Sequence, residues 1–367
     1  MITAVRARGA KSSWRRFTGV AAILAAGSLV LAGCAGGSGT TTETEGAGEA
    51  QTEDLGEMTV VTFLPLESFT FTPEMYAQAG GYFEKHGLDV ELQPVQGTAA
   101  AIQALLGGAT TITRASTVDV FPGMEQGQPL VAVGTMAYKS NLRVVSTESK
   151  PIESADDMEG EVMGMGSIGG TSEKMLNLAL DDADVDRDSV TRQAVPVTGA
   201  TYELVKQGQL AGYIVSLDTS IAIGEQNADA VVSPADLDEA PDMQAWITTQ
   251  SNLEDDQKVA QIEAFLAAIK EAVQDVVDDG ENDFENVLAT LRESGEFDFP
   301  ALQDDAIAVP ALEHYTTQTW VDPEGEHALL ENDVEGWVDA YETYTEAGFL
   351  EGGQDPEEWI IDEHVPE

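Results

Sequence analysis

Gly164, Gly166 and Gly169 stand in "GMGSIGGTSEKML" at the spacing G-x-G-x-x-G. That spacing lets a backbone approach a pyrophosphate at a helix N-terminus, so dinucleotide binding is the first chemistry to weigh. Such a fold places the loop after its first strand, with an acidic residue about 20 positions on, at the end of the second strand. Here that position falls at Asp184, inside a polar, Asp-rich loop, which argues against the dinucleotide reading. What remains is a strand feeding a glycine turn, with Thr171 or Ser172 capping a helix. Its free amides and positive dipole end suit an anionic or acceptor-rich group. The bland alternative is that these glycines only make a tight turn.

Other residues able to do chemistry are few. Asp182, Asp184, Asp186 and Asp188 alternate like the start of a calcium loop. The turn position that needs Gly is Arg187, however, and the position that needs Glu is Gln193. With four His and one Cys, no zinc spacing is present, and neither metal nor cofactor is expected. His86, His314, His327 and His364 lie outside the loops expected to line a cleft, so no nucleophile–base pair is visible.

The elements that must position these residues alternate from Met58 onward. "MTVVTFL" reads as a strand, and Thr72-Pro73-Glu74 starts a helix with Thr72 as N-cap. That helix buries Met75, Tyr76, Ala79, Tyr82 and Phe83 and stops at Gly87. "LDVELQP" is a strand, "AAAIQALLGG" a helix, "TTIT" a strand, "DVFPGMEQG" a broken helix and "PLVAVGTM" a strand. "LRVVSTE" leads into a second series: strand "EVMGM", helix Thr171–Leu180, strand "RQAVPV", helix Thr201–Lys206 and strand "AGYIVSL". "MQAWITTQ" resembles a return path. Apolar stripes then mark two helices, one from Val259 through Phe265 to Val276, one from Val334 through Trp337 to Tyr344. The succession implies an α/β protein with mostly parallel sheets covered on both faces.

The N-terminus carries an address. Arg6, Arg8, Lys11, Arg15 and Arg16 precede an apolar run from Phe17 to Leu31, too short for a comfortable membrane span of about 20 residues. It ends in "LAGC", which resembles a bacterial lipoprotein box with Cys34 as the lipidated residue. Residues 1–34 are therefore expected to be a signal peptide, and "WRRFTG" hints at the twin-arginine route. Residues 35–57, Gly, Thr and Glu with little to bury, should form a flexible tether. Removing the five basic residues of the leader leaves 12 Lys+Arg against 66 Asp+Glu, a net charge of −54. A balance this acidic excludes a nucleic-acid footprint and points to a solvated surface, consistent with a salty habitat.

About 330 mature residues exceed the usual single core. The expected division is lobe one at 58–143 plus 245–367 and lobe two at 144–244, joined by two crossings into a hinged clamshell. Ligands of such sheets lie outside the carboxyl ends of the strands, here between the lobes.

An ordered set of segments carries a resemblance: "GGYFEKHGLDVELQP", "AIQALLGGATTIT", "GQPLVAVGTM", "SADDMEGEVMGM", "GGTSEKML" and "YELVKQGQLAGYIV". Together they resemble the solute-binding lipoproteins of ABC importers for nitrate, sulfonates, taurine and thiamine precursors. The resemblance covers Met58 to Ser220, while the C-terminal helices match only generically. It implies a type II periplasmic-binding-protein clamshell, a small-molecule ligand, and a permease with its ATPase as partners. The protein would be a monomer held outside the membrane through Cys34. It places Phe69, Phe71, Tyr76, Gly97, Thr98, Arg114, Ala115, Ser116, Gly170, Thr171, Ser172 and Asp218 at the ligand. Phe69 and Tyr76 could equally be core, and Asp218 a helix cap. Arg114, with a helix N-terminus, suggests an anion-bearing solute. An enzyme on the same fold, of thiamine-precursor or menaquinone-pathway type, and a receptor for a sensor kinase stay open as alternatives.

Overall fold

The computed structural model describes residues 54–239 and 241–366. The signal peptide, Cys34 and nearly all of the tether lie outside the described residues.

The chain opens with β1 (Gly56–Thr62), α1 (Thr72–Ala79), α2 (Tyr82–Lys85), β2 (Leu88–Pro94), α3 (Thr98–Leu106), β3 (Ile112–Ser116), α4 (Thr117–Glu125) and β4 (Leu130–Ala137). It crosses to β5 (Leu142–Thr147), β6 (Val162–Met165), α5 (Thr171–Asp182), β7 (Thr191–Ala194), α6 (Tyr202–Lys206), β8 (Gly212–Ser216), α7 (Leu217–Gln226) and β9 (Ala230–Ser233). It returns through β10 (Gln244–Thr249) and finishes in α8 (Gln250–Leu253), α9 (Asp256–Asp278), α10 (Glu285–Ser294), α11 (Asp305–His314) and α12 (Val334–Glu346).

Two five-stranded sheets result, ordered β2-β1-β3-β10-β4 and β7-β6-β8-β5-β9. In the first only β10 runs against its neighbours, and in the second only β5 does. Each inverted strand follows a chain crossing, at 138–141 or 234–243, so the chain enters each sheet from the end at which it left the other. β9, too short and polar at its flanks to stand out as a strand, pairs with β5 at the second sheet's edge.

The first sheet is backed by α9, whose Phe265, Ile269, Ala272 and Val276 are fully buried. Phe83 stacks on Phe265 at 5.4 Å, and Trp246 of β10 meets the same ring edge-on at 4.8 Å. Each such side chain contributes roughly 1.5–3 kcal/mol of burial, so this aromatic cluster is a main anchor of the first sheet.

Three local readings are corrected. Thr72 is the first residue of α1 rather than its cap; a short 3-10 turn, Phe69–Phe71, leads directly into the helix. The expected single helix ending at Gly87 breaks at Gly80–Gly81 into α1 and α2. Conversely, α4 runs unbroken through Pro122. Proline lacks the N–H that would bond the Val118 carbonyl; that carbonyl instead accepts from Lys174 Nζ at 3.2 Å.

The surface carries the excess acid, and like charges on a compact chain repel. Screening should relieve this. The melting temperature is expected to rise by roughly 5 °C or more between 0.05 and 1 M NaCl. Sucrose of equal osmolality, which does not screen, serves as the control in calorimetry; an equal rise in sucrose would refute the charge explanation.

Candidate functional site

The carboxyl ends of both sheets meet through side chains on the loops that follow the strands. Ser68 Oγ donates to Asp218 Oδ1 at 3.0 Å, linking the segment after β1 to the first turn of α7. On the α4 side, Thr171 Oγ1 donates to Asp119 Oδ2 and Lys174 Nζ to Asp119 Oδ1, both at 2.7 Å. Towards the crossings, Asn141 Nδ2 donates to Tyr315 Oη at 2.7 Å, and Arg143 Nη2 lies 3.0 Å from His314 Nε2. These polar links sit beside apolar contacts: Val118 and Phe121 of α4 share a buried cluster with Met175 and Leu176 of α5, and Leu217 of α7 joins the core of the first sheet.

The glycine loop has separable causes. An added Cβ on Gly164 would come within 2.8 Å of Tyr213 Cβ, so this glycine lets β6 pack against β8. Gly169 turns the chain at φ 79°, which favours glycine. Gly170 is the N-cap of α5, with no side-chain cap bond, so neither Thr171 nor Ser172 caps as expected. Thr171 turns its hydroxyl across the cleft instead. The first turn leaves the Thr171 and Ser172 amides without helical acceptors, and two protein carboxylates gather there: Asp119, and Glu173, which accepts from the Gly169 amide.

Arg114 is the middle residue of β3 and fully buried. Its Nε is 3.3 Å from Glu74 Oε1, and Nη2 donates to the Thr70 carbonyl at 2.7 Å. The guanidinium is boxed by Phe71, Phe63 and Trp246, with ring centroids at 5.1, 5.7 and 5.9 Å. Burial pushes the Glu74 carboxyl up and the Arg114 guanidinium down, each opposed by the other's charge. The one arginine expected to meet an anion is thus already neutralised.

The remaining expected residues divide by position. Gly97, Thr98, Gly170, Thr171 and Ser172 are half-buried in the loops and helix starts that follow β2 and β6, with Gly97 capping α3. Ser116 donates to the buried Asp242, on the crossing that leads into β10. Phe69, Phe71, Tyr76 and Ala115 are core: Phe69 packs edge-on to Phe299, Phe71 on Phe63 and Tyr76 on Tyr82, at 5.3, 5.0 and 5.5 Å. Asp218 is buried in the first turn of α7, where burial raises its carboxyl against the bonds from Ser68 and Ser216. Sequence reasoning missed Glu74, Asp119, Asn141, Asp242 and Tyr315. Only Lys174, a rare cation one turn past the glycine loop, carried a usable signal.

Among the described residues no His, Cys, Asp or Glu group is placed to hold a metal, and no helix is long and apolar enough to cross a membrane.

Two open α/β sheets facing each other at their carboxyl ends define a type II periplasmic-binding-protein fold. The *E. coli* periplasmic aliphatic sulphonate binding protein SsuA superposes with a TM-score of 0.61 at 15% identity, over 83% of this chain and 97% of its own. The nitrate-binding protein NrtA of *Synechocystis* PCC 6803 gives 0.61 at 14%, over 84% and 86%. The desulfurization enzyme DSZB gives 0.55 at 11%, over 84% and 97%. No curated protein sequence matches. The NMT1/THI5-like family model matches residues 68–282, more than half of the chain, and the protein belongs to that family.

Proposed function

We propose that the chain is the solute-binding component of an ABC importer, exported, held outside the membrane by lipid at Cys34, and monomeric. Lobe one (58–143 plus 245–367) and lobe two (144–244) close on a small organic solute and present it to a permease. The observation that carries this reading is the facing of two open sheets at their carboxyl ends, with the polar links Ser68–Asp218 and Asp119–Thr171/Lys174 between their loops.

The anion-bearing solute expected from the sequence loses its main support, because Arg114 is held by Glu74 and Thr70. An enzymatic reading draws on the fold shared with DSZB. The histidine nearest the interlobe contacts, His314, is pushed down to about 4 by burial and Arg143, which leaves it a poor base at neutral pH.

The test is thermal-shift screening of residues 35–367 against sulfonates, nitrate, pyrimidines, flavins and aromatic acids and alcohols, followed by small-angle scattering. A true solute should raise the melting temperature by mass action, about 2.7 kcal/mol of stabilisation at 100 times Kd, and reduce the radius of gyration. A solute that is chemically converted, or that binds without compaction, would sink the importer reading.

A further inference from the structure

The crossing at 138–141 is fastened by one stretch of chain, residues 315–331. The Tyr138 amide donates to the Thr319 carbonyl at 2.8 Å, and its hydroxyl donates to the Ala328 and Glu331 carbonyls, both at 3.0 Å. At the far end of the crossing Asn141 holds the Tyr315 hydroxyl.

The loop that carries the two carbonyl acceptors, between Trp320 and α12, is organised by charge. Asp322 is buried and accepts from the amides of Glu324, Glu326 and His327 at 3.0, 2.8 and 3.0 Å. His327 folds back over this turn. Its Nδ1 is 3.1 Å from Asp322 Oδ2, and its Nε2 is 3.8 Å from Oδ1 of Asp333, the N-cap of α12. The imidazole lies against the Tyr138 ring, with centroids 5.9 Å apart and planes at 27°. A protonated imidazole donates from both nitrogens and so bridges the two carboxylates. A neutral one has a single N–H and turns a lone pair towards whichever acid it does not serve.

The other groups around the ring leave this bridge in control. Glu331, on the loop itself, adds to the field of Asp322 and Asp333. From the crossing, the Tyr138 phenol stays neutral, held up by burial and by the same three acids, while Lys139 beside it is exposed. Glu324 and Glu326 are exposed as well, and on the C-terminal segment Asp362 is engaged by Asn332 Nδ2 at 2.8 Å. Burial opposes charge on His327, but the Asp322 bond and the charges of Asp333, Asp322 and Glu331 outweigh it, so the ring keeps its proton to higher pH than a free imidazole. The other histidine at this crossing, His314, is pushed down to about 4 by burial and Arg143 and stays neutral near pH 7.

Deepening the lobe closure on which the importer reading rests, we propose that the His327 imidazolium is a pH-operated clamp on the crossing at 138–141. Charged, it ties the loop to the start of α12 and holds it against Tyr138. Neutral, it leaves Asp322, Asp333 and Glu331 without an imidazolium between them, and the loop that supplies both acceptors of the Tyr138 hydroxyl loosens. The clamp is complete below about pH 6.5 and is lost as pH rises through the higher value of the bridged ring. Alkaline pH therefore frees the crossing on which the lobes turn.

Hydrogen exchange of the solute-free protein tests this, read as protection factors so that intrinsic base catalysis cancels. Every protein carries Asp242→Asn, which removes the buried carboxyl of the other crossing. Between pH 6 and pH 9 the protection of the Tyr138 and Glu331 amides, which bond the Thr319 and Ala328 carbonyls, should fall about fivefold or more. Adding His327→Gln, neutral throughout, should leave both amides weakly protected at both pH values. Adding His327→Arg, a permanent cation, should keep them protected at both. Protection that does not change with pH in the parent overturns the inference. So does a His327→Gln protein that still titrates, or a His327→Arg protein that exchanges like His327→Gln at pH 9. Failure here is separable from failure of the importer reading, which rests on compaction with a solute from the screen.

Discussion

Replacing Arg114 by methionine is expected to lower the melting temperature by on the order of 10 °C, with the loss arising from stability rather than from a missing ligand contact. The substitution leaves Glu74 buried at 1% exposure with neither carboxylate oxygen hydrogen-bonded. Breaking a buried pair from one side costs about 3–5 kcal/mol, because the remaining charge has no partner. The double variant Glu74→Leu/Arg114→Met should recover most of this, since removing both charges restores an apolar packing of similar volume inside the Phe63, Phe71 and Trp246 box. Urea unfolding of wild type, both single variants and the double variant measures the coupling directly. A stable Arg114→Met protein that has lost its solute would show instead that the guanidinium faces the ligand.

Arg114 also shows where sequence reading works and where it stops. Its rarity as a cation singled it out, and "TTIT" placed it at a strand, where it is found. Its partner did not follow. Glu74 sits in the first turn of α1 behind Pro73, where an acid ordinarily faces solvent and offsets the helix dipole. Only the register that sets Trp246 opposite Arg114, and the turn that lowers Phe69–Phe71 over both, makes that position dry. The glycine loop was half legible: a strand, a tight turn and a helix were all visible. The cap was misread by one residue: Gly170 holds the cap position and Thr171 is the first helical residue, its hydroxyl donating to Asp119, 52 residues earlier. Tyr315 was illegible for another reason. Its helix carries only a generic apolar stripe, and nothing local records that the hydroxyl will meet Asn141 on a crossing. Local pattern encodes elements and their polarity; pairings between distant polar groups depend on register and on the path of the crossings.

The crossing into β10 holds the second large expected effect. Asp242 is buried at 4% exposure and accepts from Ser116, with Ser140 also bonded to it. Burial, helped by the Asp119 charge and opposed by the serines and Lys174, pushes its carboxyl up to about 7. Tyr344, which faces it from α12, is itself pushed well above its ordinary range by burial and by the Asp242 charge. In the unfolded chain the group titrates near 3.8. A raised folded value means that the folded state holds a proton the unfolded state has released. The stabilisation is therefore complete below about 3.8, declines through the interval, and is gone once pH passes about 7. The slope approaches 1.4 kcal/mol per pH unit, so going from pH 5 to pH 8 should cost the wild type roughly 3 kcal/mol from this group. Asp242→Asn keeps an acceptor for Ser116 and cannot ionise. It should match the wild type near pH 5 and exceed its melting temperature by several degrees at pH 8. The difference between the two curves cancels the other titrating groups, and parallel curves would show that Asp242 is not held protonated. The effect has a structural direction, because ionising Asp242 places a buried charge, only partly offset by Lys174 and the serines, on one of the two segments that join the sheets. The cheapest relief is for that segment to admit water, so at alkaline pH the wild type should expose the amides of Asp242 and Met243 to hydrogen exchange sooner than the variant does.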